Sequence, residues 1–126
     1  MFLVDIEIEV EVEDMNVQIY TLKKNFDCQK AERWFKERRI KYQLIDLAKM
    51  SLSPREFDSV KAQVGLQAMI DTQSKAYQES TLRFIRGEEL IKEELIAHPA
   101  FFRAPIVRNG RQATVGYCPE IWSAWE

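Results

Sequence analysis

Val4, Ile6, Ile8, Val10 and Val12 alternate with Asp5, Glu7, Glu9, Glu11 and Glu13, the period-2 pattern of a strand with one apolar and one acidic face. Residues 1–14 are therefore either an extra N-terminal edge strand, whose stacked like charges resist pairing with a copy of itself, or an appended acidic arm. Val17 to Thr21 form a strand pattern that can open a complete domain unaided, which places the domain proper at residues 15–126. After the turn Leu22 to Asp27, Ala31, Trp34, Phe35 and Ile40 fall at helical spacing and predict an amphipathic helix over Cys28 to Arg39. Asn25 is the expected N-cap, because its side-chain oxygen can accept from the unpaired amides of the first turn, and Cys28 then occupies the third helical position. Tyr42, Leu44, Ile45 and Leu47 supply the next strand and complete a β-α-β unit with parallel strands.

The middle of the chain reads as helical. Ser53-Pro54-Arg55-Glu56 is a capping box with proline at the first helical position, launching a helix that runs to Gly65. Leu66 to Ile70 and Ala76 to Phe84 predict shorter helical pieces, and Glu88 to Ala97 a further helix closed by Pro99. Ile106 to Arg108 and Gln112 to Val115 then flank Asn109-Gly110, the preferred dipeptide of a type I′ hairpin, ahead of a helix from Pro119 to Trp125. The order β-α-β, helical insertion, β-β-α predicts an α/β, thioredoxin-like fold with a four-stranded mixed sheet. Pro105 stands where such folds hold a cis-proline facing the first helix.

Composition narrows the function classes. The net charge of -2 conceals a split, since residues 1–14 contain six acidic groups and no Lys or Arg, leaving the rest mildly basic around the first predicted helix. No apolar run approaches the roughly 18 to 20 residues of a membrane span, and the start of the chain lacks signal-peptide character, so no membrane partner and a cytoplasmic location are expected. Cys28 and Cys118 are expected to be free thiols, with Cys118 a spare loop thiol beyond the final strand, near the far edge of the sheet. His98, the one histidine, is expected to meet carbonyls at a helix end. Without a second histidine or a cysteine cluster there is no credible metal ligand set. The isolated glycines form no phosphate loop, and Trp34, Trp122 and Trp125 fit helix core faces better than a base-stacking platform, so specific nucleic-acid recognition is not expected.

Ile19-Tyr20-Thr21, Gln29-Lys30-Ala31-Glu32-Arg33-Trp34, Lys41-Tyr42 to Asp46, His98-Pro99 to Pro105-Ile106-Val107 and Val115-Gly116-Tyr117 together resemble the arsenate reductase and Spx family over Val17 to Trp125. The resemblance implies a cysteine nucleophile at the start of the first helix, where the helix terminus favours a thiolate. Counting back from Lys30-Ala31, that position is Asn25, and Cys28 falls on the second cysteine of the family's Cys-x-x-Cys. The arginine that resembling reductases carry in the insertion is Gln73 here, and the arginine before the cis-proline is Ala104. Arg103, one position earlier, points to the other side of a strand-like segment. An amide forms no thiolate and the bidentate oxyanion clamps are gone, so arsenate reduction is not expected.

Two functions remain open. In one, Cys28, favoured as thiolate by the helix terminus and Lys23, Lys24 and Lys30, is a lone redox thiol that uses glutathione as co-substrate, or a protein thiol, with no bound cofactor. Packing of Cys28 as a small buried residue is the competing expectation. In the other, the domain is a non-catalytic, Spx-like regulatory or binding protein docking on RNA polymerase or another protein.

Overall fold

A computed structural model of the chain describes residues 16–23 and 25–125; the proposed edge strand or arm at residues 1–14 lies outside them. Strand β1 (Val17–Thr21) leads into helix α1 (Phe26–Glu37) and strand β2 (Tyr42–Asp46). The insertion holds α2 (Pro54–Val64), α3 (Lys75–Gln78) and α4 (Glu88–Ala97), and the chain ends in β3 (Ile106–Asn109), β4 (Gln112–Val115) and α5 (Pro119–Trp122). The sheet order is β2-β1-β3-β4, with β1 and β2 parallel and the other pairs antiparallel. This is the expected thioredoxin-like topology.

Period-2 alternation divides the core into two layers. Val17, Ile19 and Val107 face α1 and α5, where they pack with Ala31, Trp34, Phe35, Trp122 and Trp125. Tyr20 and Ile106 face the insertion and join Leu47, Leu52, Phe57, Val60, Met69 and Phe102. Each fully buried side chain of this size contributes about 1.5–3 kcal/mol through area removed from water. Two polar groups within these layers are paired: the Trp122 indole Nε1 donates to Thr114 Oγ1 at 2.7 Å, and the Tyr20 hydroxyl donates to Glu56 Oε2 at 2.7 Å.

Local signals placed α2 and α4 well. The capping box is complete, with Glu56 N donating to Ser53 Oγ and Ser53 N to Glu56 Oε1. Elsewhere the elements are displaced or shortened relative to what periodicity suggested. Helix α1 starts at Phe26, because Asn25 caps it directly, and ends at Glu37, where Arg39 turns into the left-handed region at φ 58°. Leu66 to Ile70 contributes only a 3₁₀ turn at Gln67–Met69, since Ile70 leaves to form a bridge with Phe102. Ala76 to Phe84 splits into α3 and a 3₁₀ turn at Leu82–Phe84, and the final helix stops at Trp122.

The hairpin turns one residue later than expected. Asn109 pairs with Gln112, so the two central residues are Gly110 and Arg111. Gly110 has φ 61° while Arg111 does not share the positive φ that a type I′ turn requires at both positions. The φ signs are those of a type II′ turn, and Asn109 is freed to accept from Asn16 N through its side chain at 3.2 Å.

Candidate functional site

The C-terminal end of β1 delivers the chain to the N-terminus of α1, opposite the loop that carries Pro105. Asn25 joins the two. Its Oδ1 accepts from Cys28 N at 3.0 Å, capping the helix, while its Nδ2 donates to the Ala104 carbonyl at 3.2 Å. The Ala104–Pro105 peptide is cis, and Gly116 N donates to the Pro105 carbonyl at 2.8 Å. At the place expected for a nucleophile, the chain therefore has an amide whose donor and acceptor ends are both engaged.

Cys28 is buried, with 5% of its surface exposed. It lines a shallow cleft of about 180 Å³ together with Thr21, Leu22, Lys23, Asn25, Gln29, Glu32 and Leu44. Burial is the largest influence on its thiol and pushes the pKa up, Asp27 adds to this, and the Leu22 backbone opposes it. The shift runs opposite to the thiolate-favouring direction expected from the helix terminus and nearby lysines, because the desolvation of the buried sulfur outweighs the Leu22 backbone contribution.

The other expected site residues separate. Ala104 and Pro105 are buried beside Asn25, whereas Gln73 is exposed on a turn in which its amide donates to Asp71 Oδ1, and it does not line the Cys28 cleft. Arg103 is exposed. Its guanidinium lies against Gly116, where a Cβ would sit 3.7 Å from Arg103 Nη2. His98 is the C-cap of α4, its backbone N donating to the Glu94 carbonyl at 2.9 Å, while its side chain stands exposed with Nε2 3.7 Å from Glu94 Oε2 and the ring tilted on Phe101.

Cys118 is the clearest correction. It is a half-buried thiol at the α1 side of the sheet, not a spare group at a far edge. Its Sγ donates to the Val115 carbonyl at 3.4 Å, and the residue before it, Tyr117, receives Lys30 of α1 on its ring at 5.9 Å. Burial pushes the Cys118 thiol up; the nearby Arg103 charge pulls against this, and Glu120 and Asp27 reinforce it. Both cysteines are free.

Sequence reading missed Glu32 and Leu44 as neighbours of Cys28. Glu32 accepts from the Tyr42 hydroxyl at 3.1 Å and Leu44 is opposite Ile19 in the parallel register. The signal was available in the helical spacing Cys28, Glu32, which puts both on one face. Among the described residues there is no group of three or more His, Cys, Asp or Glu placed to hold a metal ion, and no helix long and apolar enough to cross a membrane.

A parallel β-α-β unit, a cis-proline loop against the first helix and an antiparallel hairpin define a thioredoxin-like protein with a helical insertion. Within that class the chain belongs to the ArsC family, whose model matches residues 20–125. Among solved structures it is similar to the YffB protein at 19% identity, TM-score 0.77, covering 86% of this chain and 96% of that one. It is also similar to an ArsC-family-related protein from Bacteroides fragilis at 24% identity, TM-score 0.75, covering 89% and 100%. An arsenate reductase from Vibrio cholerae is similar at 26% identity, TM-score 0.74, covering 85% and 94%. No curated protein matches the chain.

Proposed function

We propose that this ArsC-family protein is a thiol-redox protein that works through one sulfur, Cys28, exchanging disulfides with glutathione or a protein thiol and not reducing arsenate. The observation that carries the reading is the placement of Cys28 at the third position of α1, lining a cleft at the helix end that meets the cis-proline loop. In the reaction the Cys28 thiolate attacks the glutathione sulfur of a mixed disulfide, forms a Cys28–glutathione disulfide and releases the partner thiol. A second glutathione thiolate then attacks the bound glutathione sulfur, freeing Cys28 and leaving oxidised glutathione. Lys23, at the lip of the cleft, is placed to attract the carboxylates of an anionic thiol. Substitution of the family's nucleophile by Asn25, and of its two expected arginines by Gln73 and Ala104, argues against an oxyanion substrate.

A second reading rests on the burial of Cys28 and its raised pKa: a sheltered, protonated thiol suits a non-catalytic, Spx-like domain that docks on RNA polymerase or another protein. A glutathione-dependent disulfide reductase assay separates the two. Turnover lost in Cys28→Ser and retained in Cys118→Ser is expected; equal turnover in wild type and Cys28→Ser overturns the thiol reading. Retention of polymerase subunits by the Cys28→Ser protein would then support docking.

A further inference from the structure

The Cys28 cleft opens away from the cis-proline loop. Its walls come from the end of β1, the turn that follows, α1 and Leu44 of β2, and among the described residues none is supplied by residues 103–105 or 116–118. Asn25 stands between the cleft and the loop, its Oδ1 on Cys28 N and its Nδ2 on the Ala104 carbonyl, and Ala104 and Pro105 are themselves buried. A disulfide laid along the cis-proline loop therefore meets the Asn25 amide and not the Cys28 sulfur. The accessible approach runs over Leu44, with 52% of its surface exposed, and over the exposed Gln29.

That approach coincides with an outer edge of the sheet. Strand β2 lies at one end of the strand order and, among the described residues, pairs with β1 alone, so the outward backbone groups of Tyr42–Asp46 have no strand partner there. Tyr42, Leu44 and Asp46 share the α1 side of the strand, since Tyr42 packs on Phe35 and its hydroxyl donates to Glu32 at 3.1 Å. Where β2 begins, Tyr42 and Lys36 of α1 line a depression of about 460 Å³ together with Arg39, Ile40 and Lys41. The carboxylate in the cleft, Glu32, is taken up by the Tyr42 hydroxyl and faced by Lys36 at 3.9 Å, and Asp46 accepts from Ala48 N at 3.0 Å. Along this side the edge is thus cationic where β2 begins, apolar at Leu44 and acidic where it ends.

We infer that the mixed disulfide on which Cys28 acts is carried by an extended segment of a partner protein that pairs with the outer edge of β2, an apolar residue against Leu44 and acidic residues at the Tyr42 end. The inference rests on the thiol-redox reading and names its partner: a protein segment approaching by the β2 edge, not a small glutathione disulfide. Pairing with a strand edge supplies affinity through the backbone, and alternate side chains supply the choice of sequence. Side chains on one face of the segment are two positions apart, so its row over β2 reads acidic, apolar, cysteine. The covalent step is unchanged. A bond forms between the Cys28 sulfur and the glutathione sulfur, the old disulfide breaks with its electron pair leaving on the segment's cysteine, and that sulfur takes up the proton Cys28 gave up. A second glutathione thiolate then frees Cys28 and leaves oxidised glutathione.

The full-length wild type is assayed on three substrates: a glutathionylated octapeptide whose one face reads glutamate, glutamate, valine, cysteine with threonines between, the same peptide with N-methylated backbone amides, and the mixed disulfide of glutathione and cysteamine. N-methylation keeps every side chain and removes the strand donors. The plain peptide is expected to exceed the cysteamine disulfide in kcat/KM by about tenfold or more, and the N-methylated peptide to fall back to the cysteamine level. Equal kcat/KM for the two peptides overturns the inference. If the cysteamine disulfide is turned over by wild type and not by Cys28→Ser while the peptide gains nothing, the inference fails and the thiol reading stands; no turnover of any substrate above the Cys28→Ser rate removes both. Amide chemical shifts of wild type titrated with the serine analogue of the peptide give a readout independent of turnover. Shifts at Tyr42–Asp46 that weaken with added salt are expected; shifts confined to the cis-proline loop and Gly116, or none, overturn the inference.

Discussion

Replacing Asn25 by alanine removes both ends of the link between α1 and the cis-proline loop. Loss of the cap on Cys28 N costs about 1 kcal/mol, the usual value for an Asn N-cap. Loss of the Nδ2 bond strips the Ala104 carbonyl of a partner at a partly buried site, for about 1 kcal/mol more. Asn25→Ala is therefore expected to destabilise the fold by about 2 kcal/mol, a fall in Tm of roughly 8 °C for a domain of this size. Asn25→Ser keeps a capping oxygen but cannot reach Ala104, so its expected cost is about half. Urea unfolding with a shared m-value measures both. A cost below about 0.5 kcal/mol for the alanine variant, or equal costs for serine and alanine, would refute the view that the amide serves as a two-ended structural link.

The Asn25→Cys/Cys28→Ser protein places a thiol at the helix end itself, and at pH 7 it should alkylate at least about tenfold faster than Cys28 does in wild type; rates at or below that of Cys28 would contradict the contrast drawn between the two positions. Tyr20 has its pKa raised to about 12, chiefly by burial and then by its bond to Glu56. The unfolded chain therefore releases this proton first, the native state binds more protons between about pH 10 and 12, and stability falls as pH rises through that window. Chemical unfolding across that range should show a shallower decline in Tyr20→Phe, and an identical slope would count against the assignment. Thr114→Val leaves the buried Trp122 indole N–H without its acceptor at nearly constant volume, with an expected cost of about 1–3 kcal/mol by urea unfolding.

Order and kind of the elements were legible because they depend on short-range patterns. Alternation at Val17 to Thr21, helical spacing through Ala31, Trp34 and Phe35, the capping box at Ser53 to Glu56 and the Asn25 cap all act within a few residues, and each stands where expected. The lengths of the weaker helices were not legible, because pairing of Ile70 with Phe102 competes with helix continuation and comes from more than thirty residues away in sequence. The hairpin turn moved by one residue for a similar reason: the pairing of β3 with both β1 and β4 decides its register.

At the site, the sequence alone was enough to put an amide where the family's nucleophile is expected, a cysteine three residues later and a proline at the facing loop. Tertiary structure decided what those residues can do. It gave the Asn25 amide a partner on Ala104, seventy-nine residues away, buried the Cys28 sulfur enough to raise its pKa, and carried Cys118 to the α1 side of the sheet near Asp27 and Arg103. Capping is a property of neighbours in sequence, whereas desolvation and Coulomb interaction depend on what surrounds an atom in space, and only the assembled fold determines that.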